Sequence, residues 1–191
     1  MPHVITGART GGPEVDRMPK VDQMPEVDRT SVPGAELCLD FYASLASGIA
    51  VVTAPSDDGP VGTTVSTVTS LSADPPLLLV CLSHSSRTLA AMTPGSSFAV
   101  HLLDEEQESR ARLFSTATPA ERFATESYEE VLGVPVLADT FAWSICVTEE
   151  VRAYGDHCLV VGRVAALHMA EGRPLIWHDR GFHTLTDGTA R

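Results

Sequence analysis

Residues 61–88 read VGTTVSTVTSLSADPPLLLVCLSHSSRT. From Val61 to Thr69 nearly every residue is Val, Thr or Ser, and stiff β-branched side chains predict a strand. This strand is rich in hydroxyls and poor in bulk. A flat ligand can therefore approach its backbone and be hydrogen-bonded along its edge. Asp74-Pro75-Pro76 then breaks the strand, because proline has no N–H for a ladder and turns its predecessor away from helix. Leu77–Leu82 is a continuous apolar run, the pattern of a strand buried on both faces. Ser83, Ser85, Ser86, Arg87 and Thr88 follow where a helical pattern begins. Hydroxyls with a guanidinium at a helix start suit a phosphate. Each piece also has a plainer reading, an edge strand for the first and an N-cap for the Ser pair. The order of the four pieces is more specific than any one of them.

The chain has 191 residues and a formal net charge of −12. The length predicts one domain behind a tail. The charge argues against nucleic acid and anionic membranes as general partners, since both demand a positive field. It leaves room for an anionic ligand held by a few local donors. Cys38, Cys81, Cys146 and Cys158 are widely spaced and form no metal-ligand pattern. They are expected to be reduced thiols in a cytoplasmic protein. No apolar run reaches about 18 residues, so no transmembrane helix is expected, and the N-terminus has no secretory-signal design.

Residues 1–34 are set apart by three tandem hexapeptides, PEVDRM, PKVDQM and PEVDRT, over residues 13–30. Too polar to fold alone, they are expected to form a flexible arm. Residues 35–191 hold the folded domain. Leu37–Ser47 has helical spacing, and Ile49–Ala54 reads as a strand turning through Ser56–Pro60 into Val61. Arg87–Met92 is a short helix, and Phe98–Leu103 a third buried strand. Asp104 and Gln107 have capping-box spacing. Glu105 and Glu106 would then lie at the positive end of a helix, with Arg110 and Arg112 near its negative end. Pro119–Ser127 holds another short helix. Phe141, Trp143, Ile145 and Val147 alternate with smaller or polar residues, as in a half-buried strand. Cys158–Leu167 reads as a long strand apolar on both faces, and 175–185 as a closing hairpin. Hairpin-joined strands with helices confined to the middle predict a mainly β (α+β) fold, a closed antiparallel barrel with a few covering helices.

No hydrolytic, metal or P-loop motif is present, and no dinucleotide fingerprint follows a strand. His101, within an apolar run, reads as a satisfied core histidine. His157 follows Gly155-Asp156 in a turn and opens a buried strand. That places it at a barrel rim, where binding residues concentrate.

GIAVVT at 48–53, VGTTVS at 61–66, SLSADPP at 70–76, SSRT at 85–88, FAV at 98–100, RF at 122–123 and GDH at 155–157 occur in that order. Together they make the chain resemble the short-chain flavin reductases, the split-barrel flavin-binding proteins that serve two-component flavin monooxygenases. The resemblance runs from about Leu39 to Leu185. It implies a homodimer of split antiparallel β-barrels that reduces FMN or FAD with NADH or NADPH and hands reduced flavin to a partner oxygenase. Carried over, Thr63, Thr64, Val65 and Ser66 line the flavin, and Ser70 closes over it. Cys81, Ser83, Ser86, Arg87 and Thr88 hold its ribityl and phosphate end. Phe123 packs near the rings. His157 meets the nicotinamide nucleotide and is the catalytic candidate, with Asp156 shaping its turn. Ala50 and His101 depart from the family, which often has a hydroxyl residue and an Asn there. Two other functions share the resemblance: a flavin-retaining enzyme acting on an organic substrate, and a non-catalytic flavin-binding module.

Overall fold

The computed structural model describes residues 32–186. The repeats of the N-terminal arm lie outside the described residues. The chain divides into two units, Met1–Cys38 and Leu39–Arg191. Described residues of the first contribute the opening of α1 (Ala35–Ala43).

The second unit is built on a seven-stranded antiparallel sheet. Its strands are β2 (Ala50–Ala54), β3 (Val61–Val65), β4 (Val68–Ala73), β5 (Pro76–Ser83), β6 (Ser97–Leu102), β9 (Ala142–Tyr154) and β10 (His157–Met169). Their spatial order is β3-β2-β6-β9-β10-β5-β4. A small sheet joins β1 (Ser47–Gly48), β11 (Ile176–His178) and β12 (Gly181–His183). A hairpin joins β7 (Tyr128–Val131) to β8 (Val134–Leu137).

The strand order forces curvature. β3 and β4 are the two edges of the sheet, yet only Ser66 and Thr67 separate them in sequence. A flat sheet of seven strands puts its edges about 29 Å apart. The link from Val65 to Val68 spans at most about 11 Å. The sheet must therefore curl until its edges meet at Ser66-Thr67. No ladder joins β3 to β4 among the described residues. The barrel is thus split at this seam rather than closed by hydrogen bonds. This corrects the expected single strand over Val61–Thr69, which is two strands leaving the seam in different directions.

Period-two alternation places the core. On β2, Ala50, Val52 and Ala54 join Val80, Leu82, Phe98, Val100 and Cys146 in the barrel interior. Val51, on the opposite face, packs with Leu103, Phe114 and Leu175. Phe114 belongs to α3 (Glu108–Thr116). Ala99 and Ile145 pack outward against Val134 and Val136 of the β7–β8 hairpin. Ala142, Cys146 and Thr148, on the other face of β9, are buried as well. β9 is not the one-sided strand its alternation suggests, because that hairpin covers its outer face.

Other departures have local causes. The helix expected over Leu37–Ser47 ends at Ala43. Ser44 donates to the Phe41 carbonyl at 2.7 Å, taking an acceptor of the last turn, and Ser47-Gly48 pairs with Trp177 and Ile176. Gln107 rather than Asp104 is the N-cap residue of α3, and its side chain makes no cap bond, so the expected capping box does not form. The Asp104 N–H donates to Gln107 Oε1 at 3.0 Å, but the Asp104 carboxylate accepts from Glu106 N–H. Arg110 therefore lies in the first turn of α3 and Arg112 mid-helix, where Arg112 pairs with Glu108 one turn back. The Leu77–Leu82 run buries only Val80 and Leu82 fully. β10 emerges from the core after Gly162, since its pairing with β5 stops at Arg163. Leu167 and Met169 are mostly exposed. No helix among the described residues is long and apolar enough to cross a membrane.

Candidate functional site at the barrel seam

A cavity of about 260 Å³ occupies the split. Thr63, Thr64, Val65 and Ser66 supply one wall from the end of β3. Cys81 and Ser83 supply the other from the end of β5, with Ser86 just beyond. His157, first residue of β10, reaches the same space because it is the register partner of Ser83. Eight residues expected from the sequence thus meet in one place, drawn from three strands and a loop.

Their polar groups are not equally available. Thr64 Oγ1 donates to the Ala111 carbonyl at 2.7 Å, anchoring β3 to α3. The hydroxyls of Thr63 and Ser66 have no protein partner among the described residues. Ser83 and Ser85 hydroxyls lie 3.0 Å apart. Ser86 is the N-cap of α2 (Arg87–Ala90) and accepts from Leu89 N–H at 3.4 Å. The plainer N-cap reading of Ser86 therefore holds alongside its place in the cavity wall. The Cys81 thiol is pushed up by burial and stays protonated near neutral pH.

Arg87 is exposed at the start of α2, and no hydrogen bond or ion pair engages it among the described residues. Thr88 is fully buried beneath it. Neither lines the cavity. Ser70 is exposed on β4, opposite Leu78. Phe123, on α4 (Pro119–Ala124), stands edge-on between Phe114 at 5.3 Å and Tyr128 at 5.5 Å and packs against the outer core. Its neighbour Arg122 donates to the Gly62 carbonyl on β3.

Asp156 sits with Gly155 in the two-residue turn between β9 and β10, where Gly155 takes φ +57°. Its carboxylate accepts from His157 Nδ1 at 2.8 Å, and that bond holds the Asp156 carboxyl below the usual range. With Nδ1 protonated, Nε2 is the ring atom left for a ligand. His84, which pattern reading passed over, braces this turn. Its Nε2 donates to the His157 carbonyl at 3.0 Å, and its N–H to the Asp156 carbonyl at 3.1 Å. Its position between Ser83 and Ser85, inside the hydroxyl cluster, was the available signal.

The donor set suits a phosphorylated, ring-bearing ligand. Backbone, small hydroxyls and an oriented imidazole line the cavity, and Arg87, next in sequence to its wall residue Ser86, has no partner among the described residues. Residues 42–186 match the model of the flavin reductase like domain.

The chain belongs to the flavin reductase like family.

It is 38% identical over 162 residues to a flavin reductase (NADPH) of Lentzea aerocolonigenes, covering 81% of this chain and 94% of that one. It is 34% identical over 157 residues to an NADH:FMN oxidoreductase of Rhodococcus erythropolis, covering 77% and 81%. A longer Rhizobium meliloti (strain 1021) relative is 41% identical over 130 residues, which is 66% of this chain and 41% of that protein. Among solved structures, the styrene monooxygenase flavin reductase from Pseudomonas putida S12 superposes with a TM-score of 0.69 at 32% identity, covering 78% of this chain and 96% of that one. The flavin reductase fold is therefore a split barrel here as well, with the candidate cavity at its seam.

Proposed function

We propose that the chain is an NAD(P)H:flavin oxidoreductase that supplies reduced FMN or FAD to a partner monooxygenase. The observation that carries this reading is the convergence of Thr63–Ser66, Cys81, Ser83, Ser86 and His157 on one seam cavity in a chain of the flavin reductase like family. Reductases of this kind accompany oxygenases in relatives named as a flavin-dependent monooxygenase reductase subunit and a nitrophenol monooxygenase reductase component.

When bound, flavin would supply the electron chemistry, as acceptor of a hydride from the reduced nicotinamide and of a proton from solvent. The protein's task is to bind and orient. Thr63 and Ser66 hydroxyls and the β3 backbone hold the ring edge. Arg87, beside the Ser83–Ser86 hydroxyls, pairs with the flavin phosphate. His157, oriented by Asp156 and braced by His84, donates or accepts from Nε2 at the nicotinamide nucleotide. Thr88 and Phe123 support this site from beneath rather than by contact, and Ser70 approaches only along the exposed β4 edge. An open, hydroxyl-lined slot with one cation favours a flavin that exchanges, as a delivered substrate must.

A homodimer fits the same reading. Phe41, Tyr42 and Leu45 are more than half exposed, as are Leu167 and Met169, and apolar side chains in such number mark association surfaces. The four unpaired cysteines fit a cytoplasmic setting. NADH and NADPH oxidation assayed with FMN, with FAD and with no flavin tests the reading. Oxidation that requires added flavin supports it. Absence of oxidation with either flavin and either nucleotide defeats it. Turnover of an organic substrate by a flavin-retaining preparation would favour the alternative enzyme.

A further inference from the structure

Two surface elements meet at His84. The loop over residues 83–87 is held at its ends by buried Leu82 and Thr88. It carries the hydroxyls and the guanidinium assigned to the flavin phosphate, and His84, Ser85 and Arg87 on it are exposed. The turn over residues 154–157 is exposed throughout and carries His157, assigned to the nicotinamide nucleotide. His84 bonds to that turn twice. Its N–H donates to the Asp156 carbonyl at 3.1 Å, and its ring Nε2 to the His157 carbonyl at 3.0 Å. The His157 ring is fixed separately, by the Asp156 carboxylate 2.8 Å from Nδ1. Asp156 therefore sets which way the imidazole faces, and His84 sets where its backbone stands.

The first His84 bond is backbone geometry that any residue except proline supplies. The second needs this side chain. Water competes for both partners of an exposed hydrogen bond, so it adds little to stability; what it does is hold position. On the loop side, the Ser83 and Ser85 hydroxyls lie 3.0 Å apart, and the Ser86 N–H donates to the Ser83 carbonyl at 2.9 Å. His84 thus sits inside a hydrogen-bonded turn whose outer groups face the phosphate. Exposed elements with few buried contacts are the readily displaced parts of a fold. A phosphate that fixes the loop therefore also fixes, through His84, the turn that carries His157. We infer that His84 couples the two ligand sites, so that a flavin bearing a phosphate tightens the nicotinamide nucleotide at His157. This rests on the flavin reductase reading and adds a positioning residue to it. Linkage makes the coupling reciprocal: the nucleotide tightens FMN by the same factor. Riboflavin has no phosphate and leaves the loop unfixed.

Oxidised ligands bind without reacting and give the test. The dissociation constant of NAD⁺ or NADP⁺, whichever matches the reduced form the protein oxidises, is measured by calorimetry without flavin, with saturating riboflavin and with saturating FMN. FMN should tighten the nucleotide by about fivefold to tenfold, and riboflavin should not. Equal effects of the two flavins on the unaltered protein overturn the proposal without any variant. His84→Ala, checked by thermal melt, should bring the FMN effect down to that of riboflavin while FMN alone binds as before. His84→Gln, whose side-chain amide can donate to the same carbonyl, should restore it. An FMN effect that survives in folded His84→Ala overturns the proposal. Loss of the effect in both variants together with a lowered melting temperature gives His84 a merely structural role and overturns it too. Absence of FMN binding, or of any NADH or NADPH oxidation with FMN, in the unaltered protein defeats the reductase reading and this inference with it. Turnover of FMN without the phosphate effect defeats the inference alone.

Discussion

His101 donates from Nδ1 to the carbonyl oxygen of Val51, its register partner across β2 and β6, at 3.0 Å. Its Nε2 accepts from the Leu137 N–H at 3.0 Å. The imidazole is fully buried and clips β8 to the central sheet in its neutral form. Burial lowers its pKa to about 4; the Val51 bond opposes that shift, and the Arg110 charge adds to it.

The first expectation is a pH dependence of stability. The folded pKa lies below the ordinary value of 6.5, so between the two the unfolded chain binds more protons. His101's contribution is then whole above pH 6.5 and lost as pH falls toward 4. Linkage gives a loss of about 2 kcal/mol between pH 7 and pH 5. Urea unfolding at the two pH values measures it. His101→Gln, which can also donate and accept, should flatten the dependence; an unchanged slope contradicts this account.

Gly162 faces the opposite side of the core. A Cβ there would lie 2.9 Å from Cys146 Cβ and meet the Phe98 ring more closely still. Both neighbours are fully buried and have nowhere to move. Gly162→Ala should cost about 1–3 kcal/mol by overpacking, read as a lowered urea midpoint. A neutral result would show that β10 shifts freely at its register break between Val161 and Gly162.

Arg87→Ala should weaken FMN by about 1.5–3 kcal/mol, the scale of a hydrogen bond to a charged group. Riboflavin, which has no phosphate, should bind almost as before. Parallel titrations decide this, and equal loss for both ligands removes Arg87 from the phosphate role. Melting should not change, since the exposed side chain engages no other described residue.

Much of the seam was legible because its chemistry is local. Small hydroxyl residues before Pro75 and the Ser/Arg cluster after Leu82 mark themselves by composition. The split at Ser66-Thr67 was not legible, because the Val/Thr/Ser composition runs through it unchanged and only strand order shows that the chain changes edges. The β7–β8 hairpin hid for another reason. Its turn places Leu132 at φ 53° beside Gly133 at φ 75°, and leucine is not a residue that announces such a turn. The apolar run also overstated burial: Leu167, at the end of the expected Cys158–Leu167 strand, is surface. The cavity lined by Arg112, Trp177 and Phe182 escaped notice because these residues are far apart in sequence and meet only in space.

His157→Ala should raise the Michaelis constant for NADH or slow hydride transfer by about tenfold to a hundredfold, one or two hydrogen bonds' worth of transition-state binding. Flavin affinity should stay nearly unchanged. Steady-state kinetics with varied NADH, paired with a flavin titration, checks both. Flavin and NADH binding that weaken together with stability would reduce His157 to a turn residue.

The most direct test of the central claim is anaerobic. A trace of the protein is mixed with excess NADH or NADPH and a larger excess of FMN over protein, and the bleaching of the flavin absorbance is followed to its end. If flavin enters the seam cavity, is reduced and leaves, every FMN in solution is bleached by many turnovers of each protein molecule. Bleaching that stops at one flavin per protein, or none with either nucleotide, would contradict the account.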